Sequence, residues 1–342
     1  MGLVSSQIST KTMVPLCRQL ATSYSAGIPI IRALELVADN TNDRAARNVL
    51  NRMGDELRNG ASLGQSAHLH AKQLPPIFIE LLASGEVGGR LDIMLADLAD
   101  YHEDRLAMQR QIVRAAIYPF VQLLAAWFLG SWSLGWVKAM HFGTGKFDLR
   151  GYGAHYLRFQ TGAAAIFAAV VVVCVILARL GVFKWVTGVF STFIWPIAPV
   201  TRWFALARFF RTLSLLLGSG LGVVHSIERA AAVVGNPYIS RDLLKAVPLV
   251  QGGASLSESF KASRHLTPTA REMLLVGEQS GNLDASLHKA AEYHQTQASH
   301  ALKVATTILG VLVALGIAVL IGYIVISFYT NFYGGMMNDL GF

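Results

Sequence analysis

Charge is scarce in this chain. Only 15% of its 342 residues are Asp, Glu, Lys or Arg, where soluble domains carry about 25%. Hydrophobic residues make up 53%, and mean hydropathy is +0.44. The apolar residues are gathered into a few long runs. That excludes an ordinary soluble protein and indicates an integral membrane protein with soluble parts. Cysteine is nearly lacking too: only Cys17 and Cys174 occur. Two such residues make no disulfide framework, and no Cys-x-x-Cys is present for a metal or redox centre. The first eleven residues lack a basic stretch followed by an apolar one, so no cleaved signal peptide is expected. Met1-Gly2 with Ser6 fits the loose myristoylation pattern, but transmembrane spans already anchor the chain. The net charge of +8 suits cytoplasmic faces near lipid headgroups. No basic patch with groove-reading or aromatic elements is apparent, so nucleic acid is not an expected partner.

Catalytic motifs are wanting as well. Phe142-Gly143-Thr144-Gly145-Lys146-Phe147 resembles a phosphate loop only faintly. A Walker sequence needs glycine where Met140 stands and Ser or Thr where Phe147 stands. None of the 10 histidines belongs to a His-Glu-x-x-His. Gly218-Ser219-Gly220 has the wrong spacing for a nucleophile elbow. No catalytic residue, cofactor or enzymatic activity is expected.

What the chain does have is a repetition. Arg18-Gln19-Leu20 opens a stretch running through Gly27 to Leu34-Glu35. Arg211-Thr212-Leu213 opens another, running through Gly220 to Ile227-Glu228, at an offset of 193 (211 minus 18). Gly60-Ala61-Ser62-Leu63 returns at the same offset as Gly253-Ala254-Ser255-Leu256. After a one-residue slip, Gly85-Glu86-Val87-Gly88-Gly89-Arg90-Leu91-Asp92 returns as Gly277-Glu278-Gln279-Ser280-Gly281-Asn282-Leu283-Asp284, and Tyr101-His102 as Tyr293-His294. Several blocks at one spacing indicate a duplicated domain.

Each copy reads as about six short helices with no strand pattern. In the first, a helix over 13–25 is broken by Gly27-Ile28-Pro29. Asp43 caps a helix stopping at Asn59-Gly60, and Ser62 caps another. Pro75-Pro76 opens a helix that Gly85 to Gly89 ends. A last helix starts near Leu91 and shows no stop before Pro119. The second copy repeats the plan, with breaks at Asn236-Pro237 and Thr267-Pro268. The fold class is therefore all-α: an integral membrane protein with two homologous cytoplasmic helical bundles and three transmembrane helices. The expected divisions are a first repeat (1–112), a first span (113–138), a periplasmic loop (139–160) and a second span (161–180). An interfacial linker (181–201), a second repeat (202–303), a third span (304–328) and a periplasmic tail (329–342) follow. Each span has about the 20 residues a bilayer core needs. Residues 182–200 are apolar, but Lys184, Pro196 and Pro199 interrupt them, favouring an interfacial or re-entrant segment over a fourth span.

Orientation follows from two arguments. Duplicated domains belong in one compartment, which needs an even number of spans between them. Lys289 and Lys303 precede the last span and no Lys or Arg follows it, which places its N-terminal side in the cytoplasm. The N-terminus is then cytoplasmic and the C-terminus periplasmic. The loop from Lys138 to Gln160 opposes this, since Lys138, Lys146, Arg150 and Arg158 would lie outside.

Glu86 and Glu278 are the sharpest polar positions. Each follows the glycine ending an apolar helix, at Gly85 and Gly277, and precedes a turn with Gly89 or Gly281. A new helix then starts at Leu91 or Leu283. The preferred reading is that each carboxylate accepts hydrogen bonds from the free N–H groups of that next helix. A metal or partner contact is the alternative. Asp92 and Asp284 suit the positive end of that helix. His102 and His294 recur, and the plain reading is a histidine on a half-buried helix face. In the third span Gly310, Ala314, Ala318 and Gly322 fall at successive i+4 positions, a strip that lets another helix approach closely.

These residues resemble the family of type II secretion system protein F and the type IV pilus inner-membrane platform proteins, over nearly the whole chain. The Leu-x-x-x-Gly-Glu-x-x-Gly-x-Leu signature stands at Leu81 to Leu91 and, with Met273 leading, at Met273 to Leu283. Ala26-Gly27-Ile28-Pro29 and Ser219-Gly220-Leu221 match a second motif. Ala115-Ala116-Ile117-Tyr118-Pro119 match the Tyr-Pro opening of the first span, which brings Tyr118 and Pro119 into membrane packing. Many members carry a longer N-terminal extension, and the cationic outer loop is a further departure. The resemblance implies a non-enzymatic inner-membrane platform beneath a growing pilus or pseudopilus. Its partners would be a cytoplasmic assembly ATPase, pilins or pseudopilins, other inner-membrane assembly proteins, membrane lipid and further copies of itself. The rival is a transporter, or a scaffold unrelated to fibres. Transporter repeats, however, lie within the membrane and have broken or polar spans, whereas here the repeats are soluble and the span interiors lack Asp, Glu, Lys, Arg and His.

Overall fold

The computed structural model describes residues 7–141, 146–147, 152–154, 156–162, 164–165, 169 and 197–339. In the first repeat α1 spans Thr10–Ser25, α2 Ile30–Asn40, α3 Arg44–Arg58, α4 Leu63–Leu69, α5 Pro76–Val87 and α6 Leu91–Ala139. Local chemistry sets the boundaries. Asp43 accepts hydrogen bonds from the Ala45 and Ala46 N–H groups and starts α3. Ser62 and Gln65 form a capping box at the head of α4, each side chain satisfying an otherwise orphaned backbone N–H. Gly27 follows α1 at φ +84°, and Gly220 occupies the same turn in the second repeat at +86°, a region where a Cβ is strained.

In the second repeat α7 spans Ile197–Gly218, α8 Val223–Val233, α9 Pro237–Leu244, α10 Val247–Gln251, α11 Leu256–Ser259, α12 Pro268–Ser280 and α13 Leu283–Asp339. A 3₁₀ turn at Phe260–Ala262 extends α11. The plan repeats with one difference. Where the first copy has the single helix α3, the second has α9 and α10. Pro248 stands where α3 has Asp55; proline has no N–H to give the preceding turn and its ring crowds that turn's carbonyl. The one-residue slip falls between α4 and α5, where residues 70–75 form an irregular loop, so it displaces no helix.

The described residues group into two compact units. One comprises Met1–Gln111 with Ala198–His300, the other Ile112–Ile197 with Ala301–Phe342. In the first unit each repeat has its own core. Phe78, Met13, Leu16, Leu50 and Met53 are buried in the first, and Phe209, Phe210, Phe260 and Leu274 in the second. Cys17 lies wholly inside the first core, and burial pushes its thiol up, which leaves it inert as a nucleophile.

In the second unit, the apolar parts of α6 and α13 make two stretches long and apolar enough to cross a membrane. Pro119 lies inside α6 and does not end it. The expected stop is therefore corrected: a transmembrane helix accommodates proline where neighbouring groups satisfy the freed carbonyl. At Gly310 of α13 a Cβ would sit 3.4 Å from the Tyr118 ring, and at Gly130 of α6 a Cβ would meet Leu320 at 2.6 Å. Of the small-residue strip, Gly310 is buried while Ala314, Ala318 and Gly322 are exposed, so only its first member packs against α6. A two-residue antiparallel ladder pairs Met140 with Phe147 and His141 with Lys146. The second span and the linker at 182–200 lie for the most part outside the described residues.

The hairpins between α5 and α6 and between α12 and α13 are tight. A Cβ on Gly85 would meet the Met94 side chain at 2.8 Å, and one on Gly277 would meet the Ser286 Cβ at 2.8 Å. At Gly85 the added Cβ would also lie 3.0 Å from Met94 Cβ and 3.2 Å from Leu91 Cα, atoms that cannot bend aside. Gly277→Ala and Gly85→Ala are therefore each expected to lower unfolding stability by about 1–3 kcal/mol, measured by thermal melts in detergent.

Candidate functional site at the junction of the two repeats

The two Gly-Glu turns are built alike. Glu86 takes the Leu63 N–H at 2.7 Å on one carboxylate oxygen and the Gly64 N–H at 2.9 Å on the other. Glu278 takes the Leu256 N–H on one oxygen and the Ser257 N–H at 3.0 Å on the other. Each carboxylate therefore caps α4 or α11, the helix before its own in each bundle. The expectation that it caps the next helix, α6 or α13, is corrected on this point. Two adjacent N–H groups of a helix start suit the two oxygens of one anion, and the helix dipole adds to the attraction. Gly89 and Gly281 complete the turns at φ +62° and +68°, Leu91 and Leu283 open the long helices, and Asp92 and Asp284 stand in their first turns. Both carboxylates face N–H donors, an arrangement matched to an anion and not to a cation. Among the described residues, no group of three or more His, Cys, Asp or Glu is placed to hold a metal.

The recurring histidines are fully buried, at 1% exposure for His102 and 0% for His294, which corrects the half-buried placement. His294 Nδ1 lies 2.6 Å from the Ala290 carbonyl and Nε2 3.0 Å from Thr267 Oγ1. A carbonyl only accepts, so Nδ1 carries the proton and Nε2 accepts from the threonine. Neither ring nitrogen of His102 has a partner. Pro75 stands where the second copy has Thr267, and it offers no hydroxyl. Burial holds both imidazoles at about 4.

The two repeats meet along α5 and α6 of the first and α7 and α8 of the second. Leu215 and Leu216 of α7 are buried in the first repeat's core. The Ser84 hydroxyl donates to the Ser219 carbonyl at 2.5 Å. Glu80, 9% exposed, pairs with Arg229 at 3.1 Å and lies 3.4 Å from His225. Beside this contact is a charged cleft of about 350 Å³, with Asp100, Asp104 and Arg105 on one wall and Arg208, Arg211 and His288 on the other. Arg211 reaches across to Asp104 at 3.3 Å and donates to the His288 ring. Its counterpart Arg18 stays within its own repeat, pairing with Asp100 and Glu103 at 2.7 Å each. That pairing holds the Glu103 carboxyl below its ordinary value. Burial raises the Asp104 carboxyl, with Arg211 opposing. The cleft was not foreseen. Its signal was a divergence inside the repetition: Asp100 and Glu103 correspond to Glu292 and Gln295, so Arg211 loses one local anion.

Two outcomes follow from these side chains. Glu278→Ala, which removes both carboxylate bonds from the start of α11 and leaves the Ser255 cap, is expected to cost about 1–2 kcal/mol, with Glu278→Gln recovering part, as read from melting midpoints. For the histidines, an unfolded imidazole takes a proton near pH 6.5 and the folded ones only near 4. Between those values the unfolded chain holds more protons, so stability is expected to fall as pH drops through that window. His102→Leu gives up no hydrogen bond and is expected to keep or raise the melting point and to flatten the acid loss. His294→Leu leaves the buried Thr267 hydroxyl without its acceptor and is expected to lower stability by about 1–3 kcal/mol. Melts from pH 4 to 7.5 check both.

A family profile described as "Type II secretion system (T2SS), protein F" matches residues 16–137 and 209–330. The two segments start 193 apart (209 minus 16) and end 193 apart (330 minus 137). The duplicated unit therefore includes the apolar stretch of α6 or α13 as well as the soluble bundle. The chain is 29% identical to a type II secretion system protein F of Aeromonas hydrophila, covering 90% of this chain and 82% of that one. It is 28% identical to a protein of the same name from Xanthomonas campestris, over 96% and 84%. It is 24% identical to a type IV pilus assembly protein PilC of Myxococcus xanthus, over 94% and 80%. With both halves matched across their soluble and apolar parts, the chain belongs to the type II secretion system protein F family.

Proposed function

We propose that this chain is the inner-membrane platform of a type II secretion or type IV pilus machine. It couples a cytoplasmic assembly ATPase to insertion of pilin or pseudopilin subunits into a growing fibre. The observation carrying this reading is the duplicated unit itself: a helical bundle whose last helix, α6 or α13, continues without a break into an apolar stretch. A bundle of this kind offers docking faces, and an unbroken helix is the stiffest available link from such a face to the lipid. Both repeats lie in the cytoplasm and the chain ends in the periplasm. Spans cover 113–138, 161–180 and 304–328, joined by a periplasmic loop at 139–160 and an interfacial linker at 181–201. The duplication supports this topology: two like units inserted the same way need a returning span between them. The protein acts as a scaffold without catalysis, together with other inner-membrane assembly proteins and with further copies of itself.

Clean deletion in the source bacterium tests the reading, with surface fibres scored by microscopy and released proteins by mass spectrometry. Loss of fibres, or loss of secreted proteins, restored by the wild-type chain, is the expected result. If neither changes while the neighbouring machinery is expressed, the assembly role is contradicted and the transporter reading is favoured.

A further inference from the structure

The contact between the repeats uses one face of each, and the duplication means that each face exists twice. Inside the chain, α5 of the first repeat receives the α7–α8 shoulder of the second. The counterpart of α5 is α12, and the counterpart of the α7–α8 shoulder is α1–α2. Neither counterpart is covered. Ile79 and Glu80 of α5 are buried, whereas Glu272 of α12, which matches Glu80, is exposed. Beside it Leu275 and Val276 are 45% and 58% exposed, at positions where α5 has Ala83 and Ser84.

The sizes are exchanged between the two pairs of faces. In the covered contact the small Ser84 meets Ser219, and the large side chains Leu215 and Leu216 enter the first core. In the uncovered pair the receiving face carries the large Leu275 and Val276 where α5 has Ala83 and Ser84, and the shoulder carries the small Thr22, Ser23 and Ala26 where the α7–α8 shoulder has Leu215, Leu216 and Ser219. Charge is kept in part. Of the two partners of Glu80, Arg229 corresponds to Leu36 and His225 to Arg32, so one cation is retained to meet Glu272; Arg32 pairs with Glu35 at 2.8 Å and is 61% exposed along its side chain. Exposed apolar residues grouped on one helix mark an interaction surface, and complementary volume and charge identify what fits it.

We propose that α12 of one copy receives the α1–α2 shoulder of a second copy, head to tail, in the relation that α5 has to α7–α8 within the chain. This specifies the surface for the self-association proposed above and rests on that reading. A contact between two different faces continues from copy to copy and closes into a ring where the rotation permits.

Disulfide trapping in native membranes tests it. Two full-length chains with different tags are co-expressed, both carrying Cys174→Ser, one Ala26→Cys and the other Val276→Cys. Both substituted positions are exposed, and the remaining Cys17 is buried. Oxidation is expected to give a mixed covalent dimer, and none when both chains carry the same substitution. Dimers through like faces, or no trapped species in a chain that native mass spectrometry shows to be oligomeric, would overturn the head-to-tail contact and leave self-association standing. A monomer in membranes and in mild detergent overturns both. As a second measurement, Glu272→Arg in the trapped pair is expected to reduce the mixed dimer several-fold, and Arg32→Glu in its partner to restore it. Failure of restoration contradicts the pairing.

Discussion

The bidentate clamp of Glu86 and Glu278 on the first N–H groups of α4 and α11 holds each bundle closed. A helix start leaves four N–H groups without intrahelical partners, and in both repeats two of them are satisfied from across the bundle. The glutamate sits near the end of α5 or α12, one residue after the glycine that lets the next helix lie close. The clamp therefore fixes three elements at once: the capped helix, the helix that supplies the carboxylate, and the long helix that begins five residues later. Gly85 and Gly277 make that arrangement possible, since any larger residue would push α6 or α13 off the turn.

Duplication gave the chain two bundles with the same skeleton, and the differences between them show what each does. The capping carboxylates, the left-handed glycines and the tight hairpins are the same in both. The faces differ. Leu215 and Leu216 bury themselves in the neighbouring core, whereas their counterparts Thr22 and Ser23 are polar. Arg18 is satisfied within its own repeat, and Arg211 turns outward to Asp104. His294 keeps its threonine; His102, with Pro75 at the corresponding position, has no hydrogen-bond partner. The clamps and the turn glycines thus stayed alike, whereas the faces that join one bundle to the other and the partner of the buried histidine diverged.

Much of this was legible in the residues. The all-α class, the repetition, the Asp43 and Ser62 caps and the apolar stretches of α6 and α13 follow from local chemistry and period. Three points did not. Glu86 was read with the right chemistry and the wrong helix, because a sequence shows which N–H groups are near in the chain and not which are near across a bundle. Pro119 was read as a stop, a rule that holds in water and weakens in a membrane. The burial of the histidines depends on packing against other helices, which the spacing of Tyr101-His102 and Tyr293-His294 does not report. The split of α3 into α9 and α10 was not expected either, although Pro248 stands at it.

The central claim is that the Gly-Glu turn is a helix clamp within each bundle. Amide hydrogen exchange at Leu256 and Ser257 tests it most directly, comparing the wild-type chain with Glu278→Gln. The clamp requires slow exchange at both amides in the wild type and a marked acceleration there in the variant, centred on the first turn of α11. Unchanged exchange at those two amides, with protection gained on adding a divalent cation to the wild type alone, would contradict it and make the carboxylate a metal ligand.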